Sequence, residues 1–506
     1  MMAQGVLPFK YEEEHRSGGL TGLAGLPAYL DLSYVMGLTS GIGTYVKVRE
    51  GGQGFADAEM IMSLILLNLA GGDSVEDIKL LEGDEGLCRV LDRVRTHGMP
   101  RKQRRSLELR WRKDRKRTLP SASSLFRYLA SFHDGSQEEH RRPGKAFIPE
   151  PNEHLRGVIG LNGGFVAQVQ KRSPKTCATL DMDATLVEST KREALHSYKG
   201  FKGYQPLTTY WFEQDLVLHS EFRDGNVPAG FEQLRVFKEA LDLVPAGVEK
   251  VSLRSDSAGY QHNLMKYCAE GGNPRFGVIE FAIGSDVTPE FKKSVWEVGE
   301  SGWTRLYRIV DGRRIDTGQE YAEVCFVPNG LSTKKDGPEY RYVAIREALQ
   351  QPDLPGMEVQ EELPFPTMDM HSVRYKVTGI VTNTTIPGHE LIWWYRQRCG
   401  KSEEVHAVMK EDLAGGTLPS GKFGVNAAWW QIMILALNLN SAMKHIVLGG
   451  DWVNRRLKAI RYWLINLPGR VAKGARQLVI RLVGGHASNE TLLRARERMV
   501  SLYDTG

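Results

Sequence analysis

TCATLDMDATLV, residues 176–187, sets the terms for the rest of the chain. Apolar and β-branched residues alternate in steps of two, the period of a strand with one buried face. It carries Asp181 and Asp183, which share a face because they stand two apart. Downstream, Leu207 to Phe212 and Leu216 to Phe222 have the same alternation, with Gln214 and Asp215 where a hairpin turn falls. The pattern then predicts a helix from about Pro228 to Leu243, a strand at Lys250 to Arg254, a helix around Gln261 to Glu270 and a strand at Phe276 to Ala282. This order, βββαβαβ, predicts an α/β core with helices available to cover both faces of a sheet.

Two acids fall where such a core gathers ligands. Asp183 ends the first strand and Asp256, in LRSDSAGY, stands just beyond another. Open sheets hold ligands at strand ends. From about Val295 to Thr382 the text is β-rich and reads as an insertion, after which WWYRQRCGKSEEVHAVMKEDL, residues 393–413, returns to helix and carries Glu403. Three carboxylates with no Cys or His cluster make a hard-oxygen site, suited to Mg²⁺ or Mn²⁺ rather than zinc. On an ideal helix Lys410, seven residues after Glu403, returns to within about 20° of the same face. Acids that hold a metal, set beside cations that hold phosphate oxygens, suit phosphoryl transfer on DNA.

The whole chain bounds this reading. Its 506 residues, 41% hydrophobic and 25% charged, suit a folded protein of several domains. The formal charge is only +5, but ten of the seventeen residues from Arg101 to Arg117 are Lys or Arg, which favours a polyanion partner. Arg101, Lys102, Arg104, Arg105, Arg110, Arg112 and Lys113 are candidate contacts to it. Five scattered cysteines without a C-x-x-C pair argue for a reduced, cytoplasmic setting. The apolar stretch Val425 to Leu439 is broken by Asn426, Gln431 and Asn438, so no membrane span is expected. LPSGKFG, residues 418–424, lacks the P-loop pattern. His406 reads as a satisfied core or surface histidine, and Trp296 and Trp303 as buried aromatics.

Composition shifts divide the chain into a helical N-terminal DNA-binding region (1–135), a connector (136–175), a first part of the core (176–290), the β-rich insertion (291–382), a second part of the core (383–445) and a basic helical C-terminal region (446–506).

LDMDAT, RSDSAGY and YRQRCGKSEEVHAVMK, in this order on strand, strand and helix, resemble the motifs of the DDE transposases of bacterial insertion sequences. The resemblance is to the insertion-sequence 1380 family, related to the insertion-sequence 4 clan, with its signature Tyr-x2-Arg-x3-Glu-x6-Lys. LPSASSLFRYL and LPGRVAKGARQLVIRL are also similar to that family. The resemblance implies a ribonuclease-H-like core, βββαβαβ-α, interrupted by the insertion. It casts Asp183, Asp256 and Glu403 as catalytic ligands of two Mg²⁺ ions, replaceable by Mn²⁺, and Tyr395, Arg398 and Lys410 as clamps on DNA-end phosphates. Terminal inverted repeats and target DNA would be the partners, a homodimer the working form and the bacterial cytoplasm the location, at the nucleoid when DNA is bound. The chain departs from the signature once, with four residues between Arg398 and Glu403 where the family has three, so an ideal helix turns Glu403 about 140° from Arg398 instead of about 40°. Glu403 keeps the six-residue gap to Lys410; Glu404 is its rival, as Asp181 is of Asp183. A nuclease of the same fold that cuts without joining, and a silent DNA-binding relic, are the alternatives.

Overall fold

The computed structural model describes residues 18–50, 54–109, 117–328, 340–349, 363, 365–474 and 477–504. Ten strands join in one sheet: β1 (Cys177–Ala184), β2 (Leu207–Trp211), β3 (Leu216–Glu221), β4 (Lys250–Ser255), β5 (Glu280–Ser285), β6 (Thr304–Val310), β7 (Arg313–Val324), β8 (Arg341–Ala348), β9 (Thr367–Met370) and β10 (Val373–Thr382). Their order is β6-β7-β8-β10-β5-β4-β1-β2-β3, with β9 paired to β10. The ladders β1–β4 and β4–β5 are parallel; the rest are antiparallel. The β-rich stretch is therefore no separate layer. Thr382 of β10 lies opposite Ala282 of β5, and the inserted strands satisfy the backbone groups that β5 would otherwise leave bare.

The helices used below are α1 (Asp57–Ala70), α2 (Glu153–Arg172), α3 (Gln233–Asp242), α4 (His262–Ala269), α5 (Gly388–Arg396), α6 (Arg398–Ala407) and α7 (Phe423–Ala442). Neighbouring residues of β3 show that both faces are covered, because successive side chains point opposite ways. Ser220 Oγ accepts from Trp430 Nε1 of α7, while His219 Nε2 lies 3.2 Å from Glu239 of α3. α7 is long and apolar enough to cross a membrane, yet all its residues are buried inside the protein. The polar residues that interrupt it do the docking. Asn438 accepts from Val217 N at 2.9 Å and donates to Val217 O at 2.8 Å, and Gln431 donates to Ser220 O, so α7 covers the bare edge of β3.

Two regions differ from expectation. The range 136–175, expected as a connector, holds α2, whose Asn162 donates to Val217 O and Leu218 O in the core. Four glycines at 157, 160, 163 and 164 weaken its helical signal, and burial against the sheet restores what propensity lacks. The C-terminal region, expected to be helical, contains strands Gly469–Lys473 and Leu478–Leu482, the first also paired with Leu20–Thr21. Pro468 starts this unit, Gly474 falls between its strands, and Val471, Val479 and Ile480 are β-branched, which is hairpin chemistry. The two ends of the chain thus meet in one small sheet, followed by the helix Asn489–Asp504. Among the described residues the N-terminal region otherwise holds helices and turns, and Ser121 caps Ala122–Ala130 by accepting from Ser124 N.

Candidate active site

Because β1 and β4 are parallel neighbours, their carboxyl ends reach the same rim. Their register sets Asp181 opposite Arg254, and the two pair in the interior, Arg254 Nε and Nη2 donating to the two oxygens of Asp181 at 2.6 and 2.9 Å. Burial pushes the Asp181 carboxyl up and Arg254 opposes it. Arg254 also donates to Trp394 O at 2.6 Å and Gln397 Oε1 at 3.2 Å, and lies over the Phe212 ring. Asp181 is thereby committed to holding the sheet against the end of α5. Two residues further on, Asp183 and Asp256 stand at the open rim.

Asp183 keeps 21% of its side chain exposed. Burial and the charge of Glu403 lift its carboxyl above the usual range, against the pull of Arg398. Asp256 accepts from Ala258 N at 3.1 Å, capping the turn Ser257–Gly259. Burial and the charge of Asp183 push it up as well. Tyr395 approaches from α5: a Cβ at Gly284 of β5 would stand 2.9 Å from its Oη and 3.1 Å from Ser257 N, so only glycine there admits the hydroxyl beside the second aspartate's turn. Burial pushes the Tyr395 phenol up to about 12.

The third acid is placed differently. Cys399 and Gly400 leave helical geometry, Gly400 at φ +83°, and α6 proper resumes at Lys401. This break falls among the four residues that separate Arg398 from Glu403, so their ideal helical phase does not apply. Glu403 is exposed and its charge reaches Asp183. Glu404 turns aside, 3.7 Å from Lys401 Nζ. Arg398 is buried with Nη2 3.8 Å from Asp183 Oδ1, and its Nε has no hydrogen-bond partner. Burial disfavours its charge, but Tyr395, Asp183 and Asp256 outweigh that and keep it protonated.

His406 is buried beside the site rather than apart from it, Nδ1 3.9 Å from Asp183 Oδ2. Burial, Lys410 and Arg398 push it down to about 4, so the ring is neutral near pH 7. Lys410 sits on a π-helical turn, Val408–Asp412, so the ideal helical phase from Glu403 does not hold there. Its Nζ nonetheless reaches Leu186 O at 3.5 Å, three residues past Asp183.

Of the basic run, Arg101, Lys102, Arg104 and Arg105 are exposed on the helix Arg101–Leu109. Arg110, Arg112 and Lys113 lie outside the described residues. Arg117 is turned inward to Leu119 O and Glu82. Trp303 is buried under Arg346, whereas Trp296, against expectation, is 50% exposed and stacked on His371. Sequence reasoning passed over Arg254, Lys401 and the role of Asp215. One signal was available for the first: Asp181 and Arg254 each stand two residues before a rim aspartate, so a parallel pairing of those strands sets them face to face.

Among the described residues, no three acidic, histidine or cysteine side chains stand close enough to hold a metal ion as they are. The donor set still fits one chemically. Asp183, Asp256 and Glu403 offer only carboxylate oxygens, the two aspartates pushed up by burial and, to a lesser degree, by a neighbouring acid, and the counter-charge is the Arg398 guanidinium. Acids at the rim of an α/β sheet, with a buried arginine and a lysine beside them, are equipment for handling phosphodiesters. The chain belongs to the transposase DDE domain group 1 family, whose family model matches residues 13–335. That range includes Asp183 and Asp256 and ends before α5 and α6. The chain is also similar to piggyBac transposase in a cryo-EM synaptic complex with hairpin DNA, at 11% identity and a TM-score of 0.42 over 97% of this chain and 83% of that one. Among curated proteins none matches it.

Proposed function

We propose that this protein cuts DNA at transposon ends and joins them to target DNA, as a transposase of the insertion-sequence 1380 group with a ribonuclease-H-like core. The observation that carries the reading is geometric: the parallel ladder of β1 and β4 brings Asp183 and Asp256, 73 residues apart in the chain, to one rim, and the segment bearing Glu403 reaches that rim through Arg398, 3.8 Å from Asp183, and His406, 3.9 Å from it. The strand order β3-β2-β1-β4-β5 supports the fold assignment.

Asp183, Asp256 and Glu403 would hold Mg²⁺, or Mn²⁺ in its place, which supplies Lewis acidity for in-line displacement at phosphorus. The chain's own residues do the rest by position and charge. Arg398 is desolvated and charged, and its Nη2 faces Asp183 at 3.8 Å, so its guanidinium would attract a DNA-end phosphate that enters the rim beside that acid. Lys410 adds a second cation on the same rim. Neutral His406 packs against Asp183 without competing for phosphate as a cation. The Tyr395 hydroxyl, beside the Asp256 turn, stays protonated and available to donate. The exposed arginines of the helix Arg101–Leu109 give affinity along the duplex, and two copies are needed to hold two ends.

The test is cleavage and strand transfer with a terminal-repeat duplex, a pre-cleaved 3′-hydroxyl end and target DNA, in Mg²⁺ and in Mn²⁺. Joined product that disappears in Asp183→Asn bears the proposal out. Cleavage without joining makes the protein a nuclease, and binding without either reaction makes it a relic.

A further inference from the structure

Asp215 ends the loop between β2 and β3, where a turn residue is ordinarily solvated. It adopts the left-handed conformation, φ +55°, which aspartate tolerates, yet it is buried. Five groups from three parts of the chain converge on its carboxylate. Tyr210 Oη donates from β2. Ser441 Oγ at 3.4 Å, Lys444 Nζ at 3.1 Å and His445 Nε2 at 2.9 Å approach from the end of α7 and the turn after it. Lys401 Nζ, at 3.0 Å, comes from α6. Burial alone would raise this carboxyl; His445, Lys444 and Lys401 together hold it well below the usual range.

Lys444 alone balances the buried charge, so Lys401 is not required for neutrality. What it supplies is orientation. The break at Cys399 and Gly400 frees α6 from the direction of α5, so the helix that bears Glu403 must be aimed by its own side-chain contacts. Lys401 is its first regular residue. Glu403, two residues on, lies about 200° further around the helix. Tying Lys401 to Asp215 therefore turns Glu403 away from that anchor and onto the face of His406, three residues on, whose Nδ1 stands 3.9 Å from Asp183, and the Lys401–Glu404 contact draws the neighbouring acid aside.

We propose that Asp215, acting through Lys401, is a positioning residue that aims Glu403 at Asp183. The inference rests on Glu403 being the third acid. It is tested with Lys401→Met, which leaves Lys444 and His445 on the carboxylate and so strands no buried charge, alongside Asp215→Asn, the double variant and Lys401→Arg. Amide hydrogen exchange of residues 401–407 should quicken in Lys401→Met while the rest of the chain is unchanged. Cleavage should slow about 10- to 100-fold with end binding held within about twofold, since a displacement near 1 Å costs rates of this order. The double variant should be no slower than the slower single one, and Lys401→Arg should recover most of the rate. Unchanged exchange and cleavage in Lys401→Met would overturn the inference, as would losses that multiply in the double variant or merely follow the folded fraction. If the wild-type chain does not cleave but exchange still quickens in Lys401→Met, the functional reading fails and the anchoring stands.

Discussion

The aspartates and the glutamate are held by different physics. Asp183 and Asp256 end adjacent parallel strands, and the backbone ladder that fixes Leu180 against Leu253 and Met182 against Ser255 also fixes where they emerge. Glu403 follows a broken helix, and its place depends on the side chains of Arg398 and Lys401. On the proposed reading, two carboxylates built into a sheet and a third set by side-chain contacts give the candidate site a rigid half, fixed by backbone, and an arm fixed by side chains. The arm also carries Arg398 and Lys410, the cations proposed to meet DNA-end phosphates.

The largest expected effect tests the rigid half. Asp183→Asn and Asp256→Asn should each lower cleavage by at least about 10³-fold, the equivalent of several kcal/mol of charge stabilisation, with end binding nearly intact; a mobility-shift assay beside a cleavage time course reads both. Glu403→Gln should match them and Glu404→Gln should not, and a reversal would move the arm's acid by one residue. Asp181→Ala should act on stability instead, stranding buried Arg254 at a cost of about 3–5 kcal/mol, read as a lower melting temperature. Gly400→Ala should act on the arm alone: a Cβ there meets nothing within 4 Å, so the change is the cost, about 1–3 kcal/mol, of holding a non-glycine residue at a sparsely populated positive φ, visible as slower cleavage with a small loss of stability. Smallest, Lys410→Ala should reduce the slope of log affinity against log salt by about one unit, the signature of a single lost phosphate contact.

The legibility of the sequence follows the same division. Period-two alternation placed β2 and β3 to within one residue and β1 to within three, because a half-buried strand writes its face into every second position. It did not reveal that β10 would pair with β5, since strand partners are chosen across almost a hundred residues and leave no local trace. α2 was hidden by its glycines, and the terminal hairpin by basic residues that read as an amphipathic helix. At the site, spacing from Glu403 to Lys410 was read on an ideal helix, and the chain departs from one at both ends of α6, at Gly400 and at Val408. Asp215 was legible as a turn; that five donors would surround it depended on α6 and on the end of α7, the latter more than two hundred residues away.

The pairing of β10 with β5 has a mechanical consequence. With no seam between inserted and original strands, the hairpin of β6 and β7 is joined to Asp256 by an unbroken run of backbone bonds passing through β8, β10, β5 and β4. The hairpin tip and the rim that bears Asp256 therefore belong to one continuous ladder among the described strands, in which the one register shift of the tip falls between Arg305 and Tyr307.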